Sequence, residues 1–170
     1  SRDEKTLSRP WAIPGTPGLE HRIGGLEKQH NTGNINYEPE NHEFMIKMRQ
    51  DKIDGIADDI PLAQADGDEK GDLLVIGWGG TYGAIRTAVE SKRREGKKVS
   101  HLHLKHLNPL PKNLGEILLN YKNILVAEIN LGQLVKILRA KYLLPMLSYN
   151  RVLGLPFKAN DIEQKIDEIL

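Results

Sequence analysis

Residues 73–96 hold the pattern that most constrains the fold of this chain. An apolar run over residues 73–77 breaks into a glycine loop, residues 77–83, and continues as a helical pattern that stops at Gly96. A buried strand that turns tightly into a helix is typical of the opening unit of an α/β domain, and such turns often bind a phosphate. The pattern therefore predicts an α/β domain, and the glycine loop is either a ligand site or only a tight turn.

Strand and helix patterns alternate regularly after this first unit. The predicted strands cover residues 73–77, 98–104 and 124–129, with a short last strand over 150–153, and the predicted helices cover 81–95, 113–121, 132–144 and 159–170. Strands that alternate with helices form a mostly parallel sheet covered on both faces. We therefore expect residues 71–170 to form a three-layer, Rossmann-like α/β domain.

The first 70 residues have a different character. Residues 11–37 are rich in glycine, proline and asparagine and lack a helical or strand period, which predicts an extended arm that lies on another surface. Pro39 marks the start of a helix that is expected to run toward Pro61. The acidic residues 63–72 are interpreted as a linker, so that arm, helix and linker together fill residues 1–70.

Composition excludes several classes of protein and of site. The chain has 170 residues, a net charge of +1 and no cysteine. A near-neutral charge gives no electrostatic reason to expect a nucleic-acid partner, and no apolar run reaches membrane-spanning length. The lack of cysteine excludes thiolate nucleophiles and cysteine-ligated iron–sulfur clusters in this chain. We expect a cytoplasmic protein that extends upstream, since the chain begins with Ser1 rather than methionine.

The glycine loop fits the known phosphate-binding motifs only in part. Gly77 and Gly79 match the first two positions of the dinucleotide motif G-x-G-x-x-G, but Tyr82 occupies the third. The second predicted strand ends without the carboxylate that binds a ribose, which favours a tight turn. The alternative is a nucleotide- or coenzyme A-binding module, in which backbone N–H groups of Gly79, Gly80 and Thr81 bind an anion.

Two further clusters allow both a structural and a functional interpretation. The basic residues between 92 and 98 complement the end of a helix, with a phosphate-bearing ligand or an acidic partner as the alternative. His101 and His103 share one face of a predicted strand, but no further zinc ligands stand nearby, so packing under a helix or at an interface is favoured. A small α/β hydrolase that uses these histidines and Glu128 is a third class of function, but it lacks a nucleophile on a strand-to-helix turn.

The segment Glu-Ile-Asn-Leu-Gly-Gln-Leu, residues 128–134, carries a more specific signal. It places a carboxylate and an amide at the carboxyl end of a central strand, where open α/β sheets contact their ligands or partners. Capping of the following helix by Asn130 would explain the same residues without a partner. The sequence is compatible with both interpretations.

Three segments together resemble the alpha subunit of 2-oxoacid:ferredoxin oxidoreductases, and the 2-oxoglutarate type most. They are Pro-Gly-Thr-Pro-Gly-Leu-Glu-His-Arg at residues 14–22, Pro-Glu-Asn-His at 39–42 followed by Arg49 and Lys52-Ile53, and Glu128-x-Asn130-x-x-Gln133-Leu134. The resemblance covers nearly all of this chain but only the carboxyl-terminal part of such a subunit. It implies that residues 71–170 form a domain like the carboxyl-terminal domain of transketolase, joined by the arm to an upstream pyrimidine-binding domain.

The resemblance also implies what the whole enzyme does. Such an enzyme converts a 2-oxoacid and coenzyme A to an acyl-CoA and carbon dioxide, and its thiamine diphosphate, magnesium and iron–sulfur clusters lie in other domains or chains. No catalytic residue, cofactor or metal ligand is therefore assigned to this chain, which we expect to be an assembly domain without activity of its own. The expected partners are the upstream domain, the beta subunit and, indirectly, ferredoxin. The interface candidates are His21, Arg22, Glu128, Asn130 and Gln133.

Overall fold

The computed structural model describes residues 2–170, and these divide into two compact units between Asp59 and Ile60. The sequence pattern predicts the division at residue 70. The structural boundary lies before that residue because of a two-residue strand, β1 (Ala65–Asp66), which pairs antiparallel with a strand of the second unit. A strand this short at the edge of a sheet carries no alternation that could be recognised in the sequence.

The first unit is an irregular arm followed by helix α1 (Pro39–Gly55). Proline occupies the first turn as expected, because its missing N–H costs nothing there. The helix ends at Gly55 and a short 3-10 turn follows, so it does not continue to Pro61. Asn41, which is buried on α1, accepts a hydrogen bond from the His30 amide at 3.0 Å and donates one to the Lys28 carbonyl at 3.0 Å. These bonds fix the last part of the arm against the helix.

The second unit is an α/β fold with one five-stranded sheet in the order β1-β3-β2-β4-β5, in which only β1 is antiparallel. The other strands are β2 (Gly71–Trp78), β3 (Val99–Leu104), β4 (Tyr121–Glu128) and β5 (Leu147–Asn150). The helices are α2 (Tyr82–Arg94), α3 (Leu114–Leu118), α4 (Gln133–Tyr142) and α5 (Ala159–Ile169).

Alternate residues of the central strand β2 enter different cores. Leu74 and Ile76 pack on one face, in a cluster that includes residues of α3 and α4. Leu73 and Val75 pack on the other face, with residues of α2 and α5. Side chains of a strand point alternately to opposite faces, so a strand buried on both faces is apolar throughout. The predicted mostly parallel, three-layer architecture is confirmed.

The last strand differs from its predicted position. The apolar residues Val152 and Leu153 suggested a strand over residues 150–153, whereas β5 covers Leu147–Asn150. Both side chains instead lie in the following loop and are exposed. Two neighbouring apolar residues therefore do not always indicate a buried strand, and here they form part of the exposed surface of the second unit.

Candidate functional site

The carboxyl ends of β2 and β4 form the point of the sheet where a site is expected. From β2 the chain crosses through α2 to β3 on one side, and from β4 it crosses through α4 to β5 on the other side. The helices α2 and α4 cover opposite faces of the sheet. Open α/β sheets bind ligands where the strand order reverses in this way. Two strand-to-helix turns meet this edge, and we call them, each with the end of its strand, the β2 turn (residues 77–81) and the β4 turn (residues 128–132).

The glycine at the start of the β2 turn is required by close packing. A Cβ atom on Gly77 would lie 2.3 Å from Cδ1 of Ile85 and 2.4 Å from Oγ1 of Thr81. The hydroxyl of Thr81 accepts a hydrogen bond from the Trp78 amide at 3.0 Å and donates one to the Trp78 carbonyl at 2.9 Å. These contacts support the interpretation of the glycine loop as a tight turn that lets α2 pack on β2.

The residues proposed to bind an anion have unequal access to solvent. Thr81 is only 1% exposed and its hydroxyl is already bonded to the backbone. Gly79 and Gly80 are exposed, and Gly79 has a φ of +56°, which favours glycine. The threonine side chain therefore has a structural task in the turn and is not directed at a ligand.

Glu128 ends β4 and caps α4 from inside the protein. Its side chain is fully buried, and Oε1 and Oε2 accept hydrogen bonds from the amides of Leu134 at 2.9 Å and Val135 at 3.1 Å. These amides belong to the first turn of α4, whose N–H groups have no partner within the helix. A carboxylate at this position also complements the positive end of the helix dipole.

The same carboxylate joins the two turns. The indole Nε1 of Trp78, the last residue of β2, donates to Oε1 of Glu128 at 3.3 Å, and the side-chain amide of Asn130 donates to the same oxygen at 3.1 Å. The side chains that end β2 and β4 are thus bonded to each other across the point where a ligand would be expected. Trp78 is not among the site residues predicted from the sequence, although its position at the end of an apolar strand and beside the glycine loop could have indicated this role.

The two interpretations of residues 128–134 can now be separated. Oδ1 of Asn130 accepts hydrogen bonds from the amides of Gly132 at 2.8 Å and Gln133 at 3.0 Å, so Asn130 does cap the turn before α4. No part of Glu128 reaches the surface, which corrects its assignment as a residue that contacts a partner with its side chain. Gln133 is exposed and Asn130 is half-buried. A contact of these two residues with a partner stays a prediction.

The two histidines of β3 pack together with Tyr82 beside a cleft of about 430 Å³. The rings of His101 and His103 are 5.9 Å apart, and the Tyr82 ring lies 5.5 Å from the first and 5.0 Å from the second. His101 is buried, and its burial and the neighbouring His103 lower its pKa to about 4. This arrangement agrees with the predicted packing of both histidines on one face.

The geometry offers no support for a zinc site or a hydrolase. Within residues 2–170, no group of three histidine, aspartate or glutamate side chains is arranged to hold a metal ion. Glu128 is bonded to Trp78 and α4 rather than to either histidine. The only hydroxyl in the β2 turn, that of Thr81, is bonded to the backbone.

The basic residues near the end of α2 form ion pairs within the protein. Nζ of Lys92, a buried residue, lies 2.8 Å from the Asp167 carboxylate and 3.0 Å from that of Glu95. Lys97 contacts Asp167 at 2.5 Å. Hydrogen bonds from both lysines lower the pKa of Asp167. The cluster therefore ties α2 to α5, which supports its interpretation as a helix end rather than a phosphate site.

The interface candidates of the arm are exposed. The ring nitrogen Nδ1 of His21 lies 2.8 Å from the Leu19 carbonyl, and the Arg22 carbonyl accepts a hydrogen bond from Lys28 at 3.0 Å. Large apolar side chains of the same arm face solvent, among them Trp11, which is 94% exposed, and Ile23, which is 81% exposed. A contact of this arm with another surface stays a prediction.

The fold defines the class of protein: a mostly parallel α/β domain in which side chains of the domain itself close the edge where a ligand is expected. The family model for the pyruvate:ferredoxin oxidoreductase core domain II matches residues 71–162, which is more than half of the chain. The chain belongs to this family. The predicted relationship to 2-oxoacid:ferredoxin oxidoreductases is confirmed.

Individual relatives agree with the family model. The 2-oxoglutarate oxidoreductase subunit KorA of Mycobacterium tuberculosis is 52% identical over 163 residues, which cover 95% of this chain and 25% of that protein. The 2-oxoglutarate synthase subunit KorA of Methanothermobacter marburgensis is 32% identical over 125 residues, which cover 73% of this chain and 31% of that protein. The chain thus spans about a quarter to a third of the length of these relatives.

One solved structure matches almost the whole chain. The 2-oxoglutarate:ferredoxin oxidoreductase from Magnetococcus marinus, solved with 2-oxoglutarate, coenzyme A and succinyl-CoA bound, superposes with a TM-score of 0.88 at 33% identity. The match covers 99% of this chain and 30% of that one. Among residues 2–170, no helix combines the length and apolar character needed to cross a membrane.

Proposed function

We propose that this chain is a structural and assembly domain of the alpha subunit of a 2-oxoacid:ferredoxin oxidoreductase, and that the substrate of the assembled enzyme is 2-oxoglutarate. The observation that carries the proposal is the 52% identity to a 2-oxoglutarate oxidoreductase subunit over 95% of the chain. The match to a solved 2-oxoglutarate:ferredoxin oxidoreductase over 99% of the chain supports it independently.

The assembled enzyme would oxidise and decarboxylate the 2-oxoacid and transfer the acyl group to coenzyme A. Thiamine diphosphate with magnesium would supply the chemistry of decarboxylation, and iron–sulfur clusters would carry the electrons to ferredoxin. The residues of this chain do not fit an iron–sulfur cluster, because it has no cysteine to ligate one. The clusters are therefore assigned to the rest of the enzyme, and the family resemblance implies the same for thiamine diphosphate and magnesium, so no step of the reaction is assigned to this chain.

The closed edge of the sheet supports a role without catalysis. A catalytic group must reach the substrate with a hydroxyl, imidazole or carboxylate that is still available for proton transfer or attack. At the switch point of this sheet, Thr81 and Glu128 are instead bonded to the backbone of the turns that they stabilise. Their geometry suits the positioning of two surface turns.

Assembly would use the surfaces that the chain leaves exposed. We propose that the arm, with His21 and Arg22, and the β4 turn, with Asn130 and Gln133, contact the upstream pyrimidine-binding domain of the same subunit and the beta subunit. Ferredoxin would interact only indirectly, through the assembled enzyme. The enzyme is proposed to act in the cytoplasm, where its coenzyme A and ferredoxin partners are expected.

The decisive experiment is an activity assay on the complete alpha subunit, co-expressed with its beta subunit. We expect coenzyme A-dependent reduction of a viologen dye with 2-oxoglutarate and at least tenfold slower reduction with pyruvate. The 170-residue chain alone, supplied with thiamine diphosphate and magnesium, should show no decarboxylation of either acid. Activity of the isolated chain would reject the assembly role, and a preference for pyruvate would reject the proposed substrate.

A further inference from the structure

The cleft at the carboxyl end of β3 contains polar groups that no contact within the protein explains. Its volume of about 430 Å³ lies in the range of small-molecule sites. Two buried ring nitrogens, Nε2 of His101 and Nδ1 of His103, have no hydrogen-bond partner within residues 2–170. His101 is only 2% exposed and lines the cleft together with His103. Because buried polar atoms are almost always hydrogen-bonded, two unpaired atoms beside one cleft indicate a binding site.

The walls of the cleft are held in place by contacts within the second unit. The edge strand β1 pairs with β3, with Asp66 opposite His101. The side chain of Asn113 exchanges two hydrogen bonds with the backbone of Ala63, both at 2.9 Å, and so fixes the segment that leads into β1. Tyr82, the first residue of α2, packs on both imidazole rings. The cleft therefore lies within one unit that has hydrophobic cores of its own.

The charged residues of the cleft favour an anion as its ligand. Lys105 and His106 line the cleft and are exposed. Among the described residues that line it, Asp66 is the only acid, and its carboxylate is already paired with Arg93 at 3.4 Å. The cleft therefore carries the positive charge of Lys105, and a positively charged cleft attracts anions.

The type of hydrogen-bond donor favours a carboxylate among the anions. Burial is the main cause that lowers the pKa of both His101 and His103, so both rings are neutral at about pH 7. A neutral imidazole has one N–H donor, and two such donors match the two oxygens of a carboxylate. Phosphate is bound more typically by guanidinium groups or by helix amides. The apolar walls, formed by Leu62, Leu104 and Pro111, suit the body of a small organic acid.

We propose that this cleft binds a small carboxylic acid with an apolar body, and that its carboxylate accepts hydrogen bonds from the rings of His101 and His103. The site goes beyond the proposed function, since it lies within this chain and needs neither a cofactor nor another domain. The unpaired nitrogens have almost no exposed surface of their own. Tyr82, which packs on both rings and is 44% exposed, is the side chain that turns aside when the ligand enters.

The test measures binding on the isotope-labelled 170-residue chain, by NMR spectra that resolve the ring nitrogens of its six histidines. The probes are benzoate, inorganic phosphate and benzamide, which has the body of benzoate without the charge. We expect benzoate to shift the signals of His101 and His103 to saturation and to leave those of His21 in the arm unchanged. Benzamide and phosphate should bind about tenfold more weakly, the effect of losing one hydrogen bond to a charged group.

The pKa of His101 distinguishes a bound carboxylate from a structural effect. Besides His103, the charges that act on its ring are Asp66, which raises the pKa, and Arg86, which lowers it. A bound carboxylate adds a negative charge beside the ring and should raise the pKa of His101 above its value of about 4. Benzamide should leave this pKa unchanged. An unchanged pKa at saturating benzoate would overturn the proposal.

Three variants locate the binding site. His103→Leu removes one donor at a half-buried position, and its folding is checked by circular dichroism. We expect it to bind benzoate about tenfold more weakly than the unchanged chain. Lys105→Gln removes one exposed charge and should weaken binding by about twofold. Lys141→Gln is the control, because Lys141 is exposed on α4 and does not line the cleft, and it should bind benzoate as the unchanged chain does.

Three results of these titrations would each overturn the proposal. The first is equal affinity of folded His103→Leu and Lys141→Gln for benzoate. The second is tighter binding of phosphate than of benzoate, since the ligand would then not be a carboxylate. The third is the lack of any shift of His101 and His103 with every probe, since bound water would then explain their unpaired nitrogens.

The site is also tested in the complete alpha subunit, co-expressed with the beta subunit. Binding of radiolabelled benzoate is measured by equilibrium dialysis for the unchanged complex and for complexes that carry His103→Leu or Lys141→Gln. We expect His103→Leu to remove the benzoate bound in the cleft and Lys141→Gln to leave binding unchanged. Equal binding by all three complexes would overturn the proposal, because the cleft would then take no ligand in the assembled enzyme.

Discussion

The two turns that meet at the carboxyl edge of the sheet solve one physical problem in different ways. Each follows a central parallel strand and opens a helix whose first amides need partners. In the β2 turn, Gly77 lets the chain pack closely and the Thr81 hydroxyl bonds to the backbone. In the β4 turn, two side chains, Glu128 and Asn130, supply the oxygens that the backbone amides require.

This difference decides what each turn can present to a partner. The β2 turn presents almost no side chain to a partner, because its exposed residues are the glycines Gly79 and Gly80. The β4 turn is built on inward-facing polar anchors, which leaves Leu131 pointing outward. Hydrogen bonds from Trp78 and Asn130 to Glu128 connect the two turns. The comparison therefore predicts that the most damaging substitutions will be at the polar anchors.

The largest effect is expected for Glu128→Ala. The substitution removes the acceptor for two buried amides of α4 and for the Trp78 indole, and each such group left without a partner costs about 1–3 kcal/mol. We expect the free energy of unfolding of the 170-residue chain to fall by about 4 kcal/mol, measured by urea denaturation with circular dichroism. Glu128→Gln keeps one oxygen acceptor, so it should lose about half as much. A loss below about 1 kcal/mol for Glu128→Ala would show that water replaces the carboxylate. The conclusion that Glu128 holds the two turns together would then be wrong.

Acid should lower the free energy of unfolding through His101 on β3. Burial and His103 hold the pKa of His101 near 4, with a partly opposing effect of Asp66 and a further lowering by Arg86. The unfolded chain binds this proton near pH 6.5, so stability is fully present above that pH and is lost as the pH falls toward 4. The loss is on the order of 3 kcal/mol, since one pKa unit corresponds to about 1.4 kcal/mol.

A matched pair of histidine variants isolates that contribution. His101→Gln should reduce the dependence of unfolding free energy on pH between 6.5 and 4 and leave the part that comes from His103, whose pKa is also lowered by burial. His21→Gln in the exposed arm should leave the dependence unchanged. The ion pairs of carboxylates, such as that of Asp167, lose their contribution to stability mainly at lower pH, because the pKa of the carboxylate is lowered in the folded protein. An unchanged slope in His101→Gln would mean that His101 is not held neutral by the fold.

A smaller loss is expected for Gly77→Ala in the β2 turn. The added Cβ would overlap Ile85 and Thr81, and forcing an extra methyl group into a packed core costs typically 1–3 kcal/mol. We expect a loss of about 2 kcal/mol in urea denaturation. Gly80→Ala is the control, because its Cβ would meet no atom within 4 Å, and it should change stability by less than about 0.5 kcal/mol. Equal stability of the two variants would contradict the conclusion that close packing requires glycine at position 77.

The sequence predicted the layers and the order of the main elements because their signals are local. The apolar run of β2 and the helical period of α2 each lie within about a dozen residues, and such patterns follow from burial on one or two faces. The edge strand β1 escaped notice because it has two residues. The position of β5 was wrong because Val152 and Leu153, which are apolar, face solvent rather than the core.

The site was predicted less well, because its key contacts join residues far apart in the chain. The importance of residues 128–134 was recognised from their position after a central strand, and the capping role of Asn130 was among the alternatives. That Glu128 faces inward depends on Trp78, fifty residues earlier. No periodicity within either segment contains this bond, which exists only once β2 and β4 are neighbours.

The smallest effect is expected for Asn130→Ala in the β4 turn. Its Oδ1 accepts hydrogen bonds from two amides, and loss of such a cap costs about 1 kcal/mol. Asn130→Ser, which keeps a short oxygen acceptor, should lose about half of that in urea denaturation.

Asn130→Asp keeps the acceptor as well, but it places a second carboxylate where the Asn130 amide now lies 3.1 Å from Glu128. Repulsion between two such groups is strong at short range, so Asn130→Asp should be less stable than Asn130→Ser at pH 7 and should regain stability as the pH falls toward 5. If Asn130→Asp were instead the more stable of the two at pH 7, the buried carboxylate of Glu128 would not be the neighbour that organises this turn.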